Sequence, residues 1–495
     1  MLIEGFLLFA LLIFAVKFLQ LQQARSRLPP GPVPLPILGN LWLLDFALKR
    51  ETLAKLSSIY GEIYTIWLGT EPMVVLNGYK AVKEGLVTCS EETSGRPLTP
   101  LFLDLMGEKG IFMTSGPIWK QQKRFVMTTL RNLGVGKKVL ENRIQEEAHC
   151  LLQVFKSKKG SLFDPQTLMV KAFANIICNF VFGHRFSEED AHFNKILKTV
   201  HMIIYVFATR WGRAYNTFPQ IMQKFQKPYR QLFEHNEFLH NFVKDKVQSH
   251  KERWEEGNEP QDLIDCYLEF ISKNKGDSGS IFSEENMVQI IVDLLIGGTQ
   301  TSTTTLYWGL LYLLKYPDVQ EKIHHEIDAI LGPSQLITYE DRNRLPYTNA
   351  VLHEIVRYSN VSATGPLRKC LKDVVIKGFP IGKGTLLLPN SHSVLYDPEC
   401  WETPWKFNPE HFLDSEGNFV NNEAYLPFST GRRACVGESL ARIELFVFFT
   451  NLLRSFKYQL PPGVKDVSFE EIKEISGINR QPIPYNLCAF PREAA

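Results

Sequence analysis

The stretch FSTGRRACVG, Phe428 to Gly437, decides how this 495-residue chain is read. Gly431 permits a tight turn, and Arg433 supplies a fixed cation. Cys435 falls just ahead of ESLARIELFVFFTNLL, which predicts a helix from about Glu438. A thiol at a helix N-terminus, among backbone N–H groups and beside an arginine, is favoured as thiolate, the form that ligates metals. The bland alternative is a buried, inert cysteine, the usual fate of an isolated intracellular thiol.

A second unusual stretch lies upstream. IGGTQTSTTT, Ile296 to Thr305, separates two apolar runs, QIIVDLLI and LYWGLLYLL. Ser283 suits a helix N-cap, Glu284 and Glu285 suit the first turn, and Pro317 is a stop. The segment predicts a helix of about 33 residues, roughly 50 Å long. Its apolar residues cover nearly every face, so it should cross the centre of a large core. Bonding back to carbonyls one turn earlier accounts for the hydroxyls of Ser302 to Thr305. Gly297 and Gly298 are different. Paired glycines cost about 1 kcal/mol each inside a helix, so they predict a flat or bulky group approaching the backbone.

A composition of 44% hydrophobic, 12% aromatic and 22% charged residues is that of a well-packed globular protein. The formal net charge of +2 gives no general case for nucleic acid. Eight cysteines are scattered without a CxxC pair, which points to a reducing, cytosol-facing compartment. The N-terminus carries GFLLFALLIFAV, and with Lys17 snorkelling, Leu2 to Leu21 gives about 20 residues, enough to span a bilayer. No small-residue cleavage site follows it. Arg25 and Arg27 on one side and Glu4 on the other orient the remainder to the cytosol. Residues 1–28 thus read as a transmembrane signal anchor with a basic flank. Residues 29–40 read as a stiff proline-rich hinge and 41–495 as one large domain.

The decapeptide matches FxxGxRxCxG at Phe428, Gly431, Arg433, Cys435 and Gly437. In this the chain resembles the cytochrome P-450 monooxygenases, whose haem-binding loop has that form. Chance would produce such a match in a chain this long on the order of once in ten thousand. Further landmarks follow in the family's order. Glu354 and Arg357 form an ExxR pair, and Pro409, Glu410, His411 and Phe412 stand where the family has PERF, with His411 replacing the arginine. Trp119 and Lys123 stand where it has WxxxR, whose members hold a haem propionate; lysine supplies the charge but not the bidentate fork. Arg124 is next door, and Arg368 is a further propionate donor by resemblance. The anchor, PPGP hinge, FDP and NIICNFVFGHRF extend the likeness over essentially the whole chain, towards microsomal, vertebrate-type family-two enzymes.

The resemblance implies a mainly α fold with a minor β portion, binding haem b through Cys435 and using O2. The thiolate would favour O–O cleavage. IGGTQT is similar to the oxygen-binding signature of the family. Gly297 and Gly298 then let ring and dioxygen approach, and Thr301 holds the water that delivers protons. Gln300 stands where the family has an acid; it can hold water but cannot ionise. Asp293, roughly two turns earlier on the same face, is the candidate substitute relay. Substrate contacts implied are Phe112, Met113, Asp293, Gly297, Val361, Ala363, Thr364 and Ile478, mostly apolar and suited to lipids or xenobiotics. Lys120, Lys123, Arg124, Arg131, Lys137, Lys138 and Arg432 suggest a face for an NADPH-cytochrome P-450 reductase, with cytochrome b5 as a further partner. Two rivals remain: a haem-thiolate isomerase or dehydratase of lipid hydroperoxides, which Gln300 favours, and a non-catalytic haem or lipid carrier.

Overall fold

The computed structural model describes residues 2–492 apart from 45–47, 135–137, 225, 256, 275–279, 333–334, 363, 465–473 and 476–478. Lys137, Ala363 and Ile478 lie outside the described residues. The central helix runs Glu284–Lys315, with the Ser283 hydroxyl accepting from the Asn286 N–H at 3.3 Å and Pro317 opening the next helix. Most of its residues from Met287 to Leu314 are buried, as expected of a helix apolar on every face. It packs on Gln166–Phe182, Pro346–Ser359 and Glu438–Ser455.

The β portion is small, and it serves the site. Ile63–Leu68 and Glu71–Leu76 form an antiparallel pair, Leu386–Pro389 runs parallel to the second strand, and Arg368–Lys369 closes the edge. A bridge from Gly95 to Lys369 then brings the chain before Arg96 alongside Arg368. Sheet pairing thereby gathers two arginines that lie far apart in sequence.

The N-terminal helix, Leu2–Arg25, is long and apolar enough to cross a membrane, and none of its apolar window is buried. The proline-rich segment after it runs without regular structure to Pro34, turns back through a Leu35–Gly39 bridge, and is docked on the domain. Pro30 O accepts from Thr65 N at 2.8 Å, Pro29 O from the Thr65 hydroxyl at 2.9 Å, and Asn40 Oδ1 from Trp67 N at 2.8 Å. A Cβ at Gly31 would lie 1.9 Å from Thr65 O. Residues 29–40 therefore cover the first strand.

Candidate haem-thiolate site

The loop around Cys435 is built by close backbone approach. Gly431 has φ +71°, and a Cβ there would lie 1.7 Å from Leu86 O, so both conformation and space demand glycine. Cys435 N donates to Phe428 O at 3.0 Å, and the helix Glu438–Ser455 begins three residues on. Protein crowds the thiol on most sides while the residue keeps accessible surface. Burial pushes the thiol up from its ordinary value, and hydrogen bonding by the Gly437 and Glu438 backbone opposes this. Helix-terminus stabilisation is thus present but outweighed by desolvation, contrary to the expectation that the loop alone favours thiolate. A metal ion would reverse that balance.

Three buried guanidiniums surround this loop. Arg433 lies 3.7 Å over the Trp119 ring and donates to the backbone carbonyls of Ser94, Ile111 and Thr114. Arg368 donates to the Ser429 hydroxyl at 3.2 Å, and its Nη1 is buried without a partner. Arg96 donates to Pro366 O and Leu367 O, and its Nε is likewise unpartnered. Among the described residues, no ion pair joins any of the three to a carboxylate. Burial, reinforced by Arg368, holds Arg433 down at about 9; burial holds Arg368 at about 10 and, with Arg368 and Arg433 beside it, Arg96 well below its ordinary value. Guanidinium does not deprotonate in proteins, so such a cluster calls for an anion. Two propionates on a flat apolar ring fit that demand. Arg96 was not anticipated from sequence, because only the bridge at Gly95 brings it here.

Lys123 departs from its expected place. Its Nζ donates to Arg432 O at 2.7 Å and Ala434 O at 2.9 Å, both in the cysteine loop. Burial, and then Arg433, lower it to about 8.

On the central helix the two glycines part company. A Cβ at Gly297 would meet nothing within 4 Å, so this face borders open space. A Cβ at Gly298 would lie 2.4 Å from Ile177 Cδ1. Gly298 therefore serves a helix crossing, a correction to the expectation that both glycines admit the ring. Thr301 is partly accessible, and its hydroxyl donates to Gly297 O at 2.8 Å. Thr303 and Thr305 bond back in the same way, but the Ser302 hydroxyl donates instead to Glu444 Oε2 at 3.0 Å. Gln300 is buried. Asp293 accepts from Ile111 N at 2.7 Å, Phe112 N at 3.0 Å and Gln289 Nε2 at 3.0 Å. Burial raises it to about 6 against these bonds. Its carboxylate anchors the 110–112 segment.

The anchored segment carries Phe112, whose ring lies 5.5 Å from the Arg96 guanidinium and 6.0 Å from the Phe102 ring. Phe112 thus belongs to the same region as the arginines. Met113 and Val361 are buried and Thr364 is half-buried. Arg480 N donates to Val361 O at 2.7 Å. Behind the site, Glu354 and Arg357 form a bidentate pair at 2.7 Å, both fully buried. Arg357 also donates to Leu395 O, Pro404 O and Lys406 O. His411 Nε2 accepts from Thr403 N, which leaves Nδ1–H for Glu354 Oε2 at 3.3 Å. His411 therefore orients Glu354 through Nδ1 where the family has an arginine. On the basic face, Lys120, Arg124, Arg131 and Lys138 are exposed, whereas Lys123 turns to the loop and Arg432 lies 3.6 Å from Glu91.

A family model described as Cytochrome P450 matches residues 29–489. The chain is 39% identical to human (Homo sapiens) "Cytochrome P450 2J2" over 480 residues, covering 97% of this chain and 94% of that protein. It is 40% identical to "Cytochrome P450 2D26" of Rattus norvegicus over 496 residues, 98% of each. With "Cytochrome P450 2F2" of Mus musculus it shares 39% over 468 residues, 94% of this chain and 95% of the relative. Given the cysteine loop, the anion-seeking arginines and likeness over nearly the full length, the chain belongs to the cytochrome P450 family of haem-containing monooxygenases, alongside its family-two members.

Proposed function

We propose that this chain is a haem-thiolate monooxygenase that inserts one oxygen atom of O2 into hydrophobic fatty acids, steroids or xenobiotics. Electrons come from NADPH through NADPH-cytochrome P450 reductase, with cytochrome b5 as a second donor. The Leu2–Arg25 helix is a single-pass anchor in the endoplasmic reticulum, leaving the catalytic domain cytosolic. The observation that carries this reading is the pairing of Cys435, in its loop, with three buried arginines that have no carboxylate partner among the described residues.

Haem b held by the Cys435 thiolate would supply oxygen activation. Arg96, Arg368 and Arg433 would hold the propionates, and Trp119 packs against the Arg433 guanidinium at 3.7 Å. Gly297 leaves the central helix open on the reacting side. Thr301 orients water there, and Gln300 fixes that water without ionising. Phe112, positioned by Asp293, presents an apolar wall to the substrate.

Reduced protein with carbon monoxide should absorb at the long-wavelength position of the family, and Cys435→Ser should abolish that band; a retained band would move the ligand elsewhere. NADPH consumption with reductase should track product. Gln300 supports a second reading, an isomerase of lipid hydroperoxides, and direct turnover of a hydroperoxide unaffected by reductase would favour it.

A further inference from the structure

Lys123 occupies the position at which the family pattern has an arginine on a haem propionate, yet its contacts are of another kind. Its ammonium bridges two backbone carbonyls, Arg432 O at 2.7 Å and Ala434 O at 2.9 Å. The second belongs to the peptide bond that enters Cys435. Among the described residues around the loop, the buried N–H groups left without partners are instead Arg368 Nη1 and Arg96 Nε. Arg433 completes the cluster of cations beside Trp119, with Lys123 Nζ 5.7 Å from the same ring. The donors that await an anion are therefore on arginines, while the lysine already has acceptors.

We propose that Lys123 is a positioning residue for the Cys435 thiolate and not a propionate ligand: it clamps the cysteine loop on either side of Arg433 and holds a positive charge against the peptide that enters Cys435. This rests on the assignment of Cys435 as the haem ligand. Two consequences follow from electrostatics. A cation near the thiolate weakens its donation to iron and favours the reduced state, which carries one more negative charge. Carbonyls tied from outside also hold the sulfur at its ligating position, as outer-shell partners do for metal ligands generally.

The test uses full-length holoprotein of wild type, Lys123→Met and Lys123→Gln. Potentiometric titration should show a more negative ferric/ferrous midpoint in both variants. The reduced carbon-monoxide complex should lose its long-wavelength band faster in Lys123→Met than in Lys123→Gln, whose amide NH2 can still donate to the carbonyls. Haem transfer to excess apomyoglobin should stay within about twofold of wild type, because the arginines still hold the ring. Haem loss accelerated by about tenfold or more with an unchanged midpoint would make Lys123 a propionate ligand and overturn the proposal. Unchanged midpoint and band stability would overturn it too. Cys435→Ser separates the premise: if that variant keeps the long-wavelength band, the ligand assignment fails, whereas its loss together with an unshifted Lys123→Met midpoint fails the clamp alone.

Discussion

At Gln300 a side chain that cannot ionise stands where the family has an acid, and the candidate substitute is occupied. Asp293 already accepts two backbone N–H groups and the Gln289 amide. Proton delivery should therefore limit coupling, so Gln300→Glu should raise product formed per NADPH consumed, and Thr301→Ala should erase most of the gain. If Asp293 nonetheless supplies protons, Gln300→Glu will change little and Asp293→Asn will be the damaging substitution. Product-to-NADPH ratios on one substrate decide between them. Glu444 is a second residue of consequence that sequence inspection passed over. Burial pushes it up to about 8 from 4.5, with the Ser302 hydrogen bond opposing, and its Oε1 has no partner. The folded protein keeps this proton at neutral pH while the unfolded chain releases it. Stability should fall as pH rises from about 4.5 to about 8, by at most about 1.4 kcal/mol per pH unit from this group. Thermal melts of Glu444→Gln should match wild type near pH 5 and exceed it near pH 8; parallel curves would refute the assignment.

The central helix shows how one element divides its surface between packing and chemistry. Gly298 lets it cross Gln166–Phe182 at Ile177, and Gly309 lets Ile355 of Pro346–Ser359 approach, where a Cβ would lie 3.1 Å from Ile355 Cδ1. At Gly297 an added Cβ would meet no protein atom. Gly298→Ala should overpack the crossing and cost about 1–3 kcal/mol, recovered in part by Ile177→Ala. Gly297→Ala meets no protein atom and should not lower stability, since alanine is the better helix former by about 1 kcal/mol. It should instead weaken the substrate-binding difference spectrum. Equal destabilisation by both substitutions would mean that both faces are packed.

Across the whole molecule the apolar N-terminal helix and the domain meet through the docked proline-rich segment. Deleting residues 1–28 removes the apolar N-terminal helix but keeps the Pro29 and Pro30 carbonyls on Thr65. That truncation should leave haem content intact and release most protein from membranes. Trp42, Trp211, Phe218 and Ile221 remain exposed and should retain a fraction at the surface. Deleting residues 1–40 also removes the Asn40 and proline contacts with the first strand, and should lower the melting temperature by several degrees, about 1–2 kcal/mol for the hydrogen bonds lost. Equal melting temperatures for the two truncations would show that the segment is only a spacer.

The mainly helical fold, the cysteine loop, the capped central helix and the long apolar N-terminal helix were all legible in the chain itself. Each is encoded by local chemistry: a glycine that only one turn accepts, a serine N-cap, an uninterrupted apolar run. Burial of Glu354 and Arg357 was not legible, because an i, i+3 pair looks the same solvated or enclosed. Neither was the role of Gly298, since a missing Cβ does not say whether a ligand or a helix fills the space. Arg96 was invisible for a related reason, lying far in sequence from Arg368 and Arg433 until the Gly95–Lys369 bridge joins them. Lys123 and Ser302 found partners, Ala434 O and Glu444, that sit more than 100 residues away. Periodicity and motif spacing determined which elements form and which cysteine lies in the loop motif. Only the tertiary structure decided which charges lack counter-charges and which donors are already engaged, because desolvation and pairing depend on neighbours that the chain order does not specify.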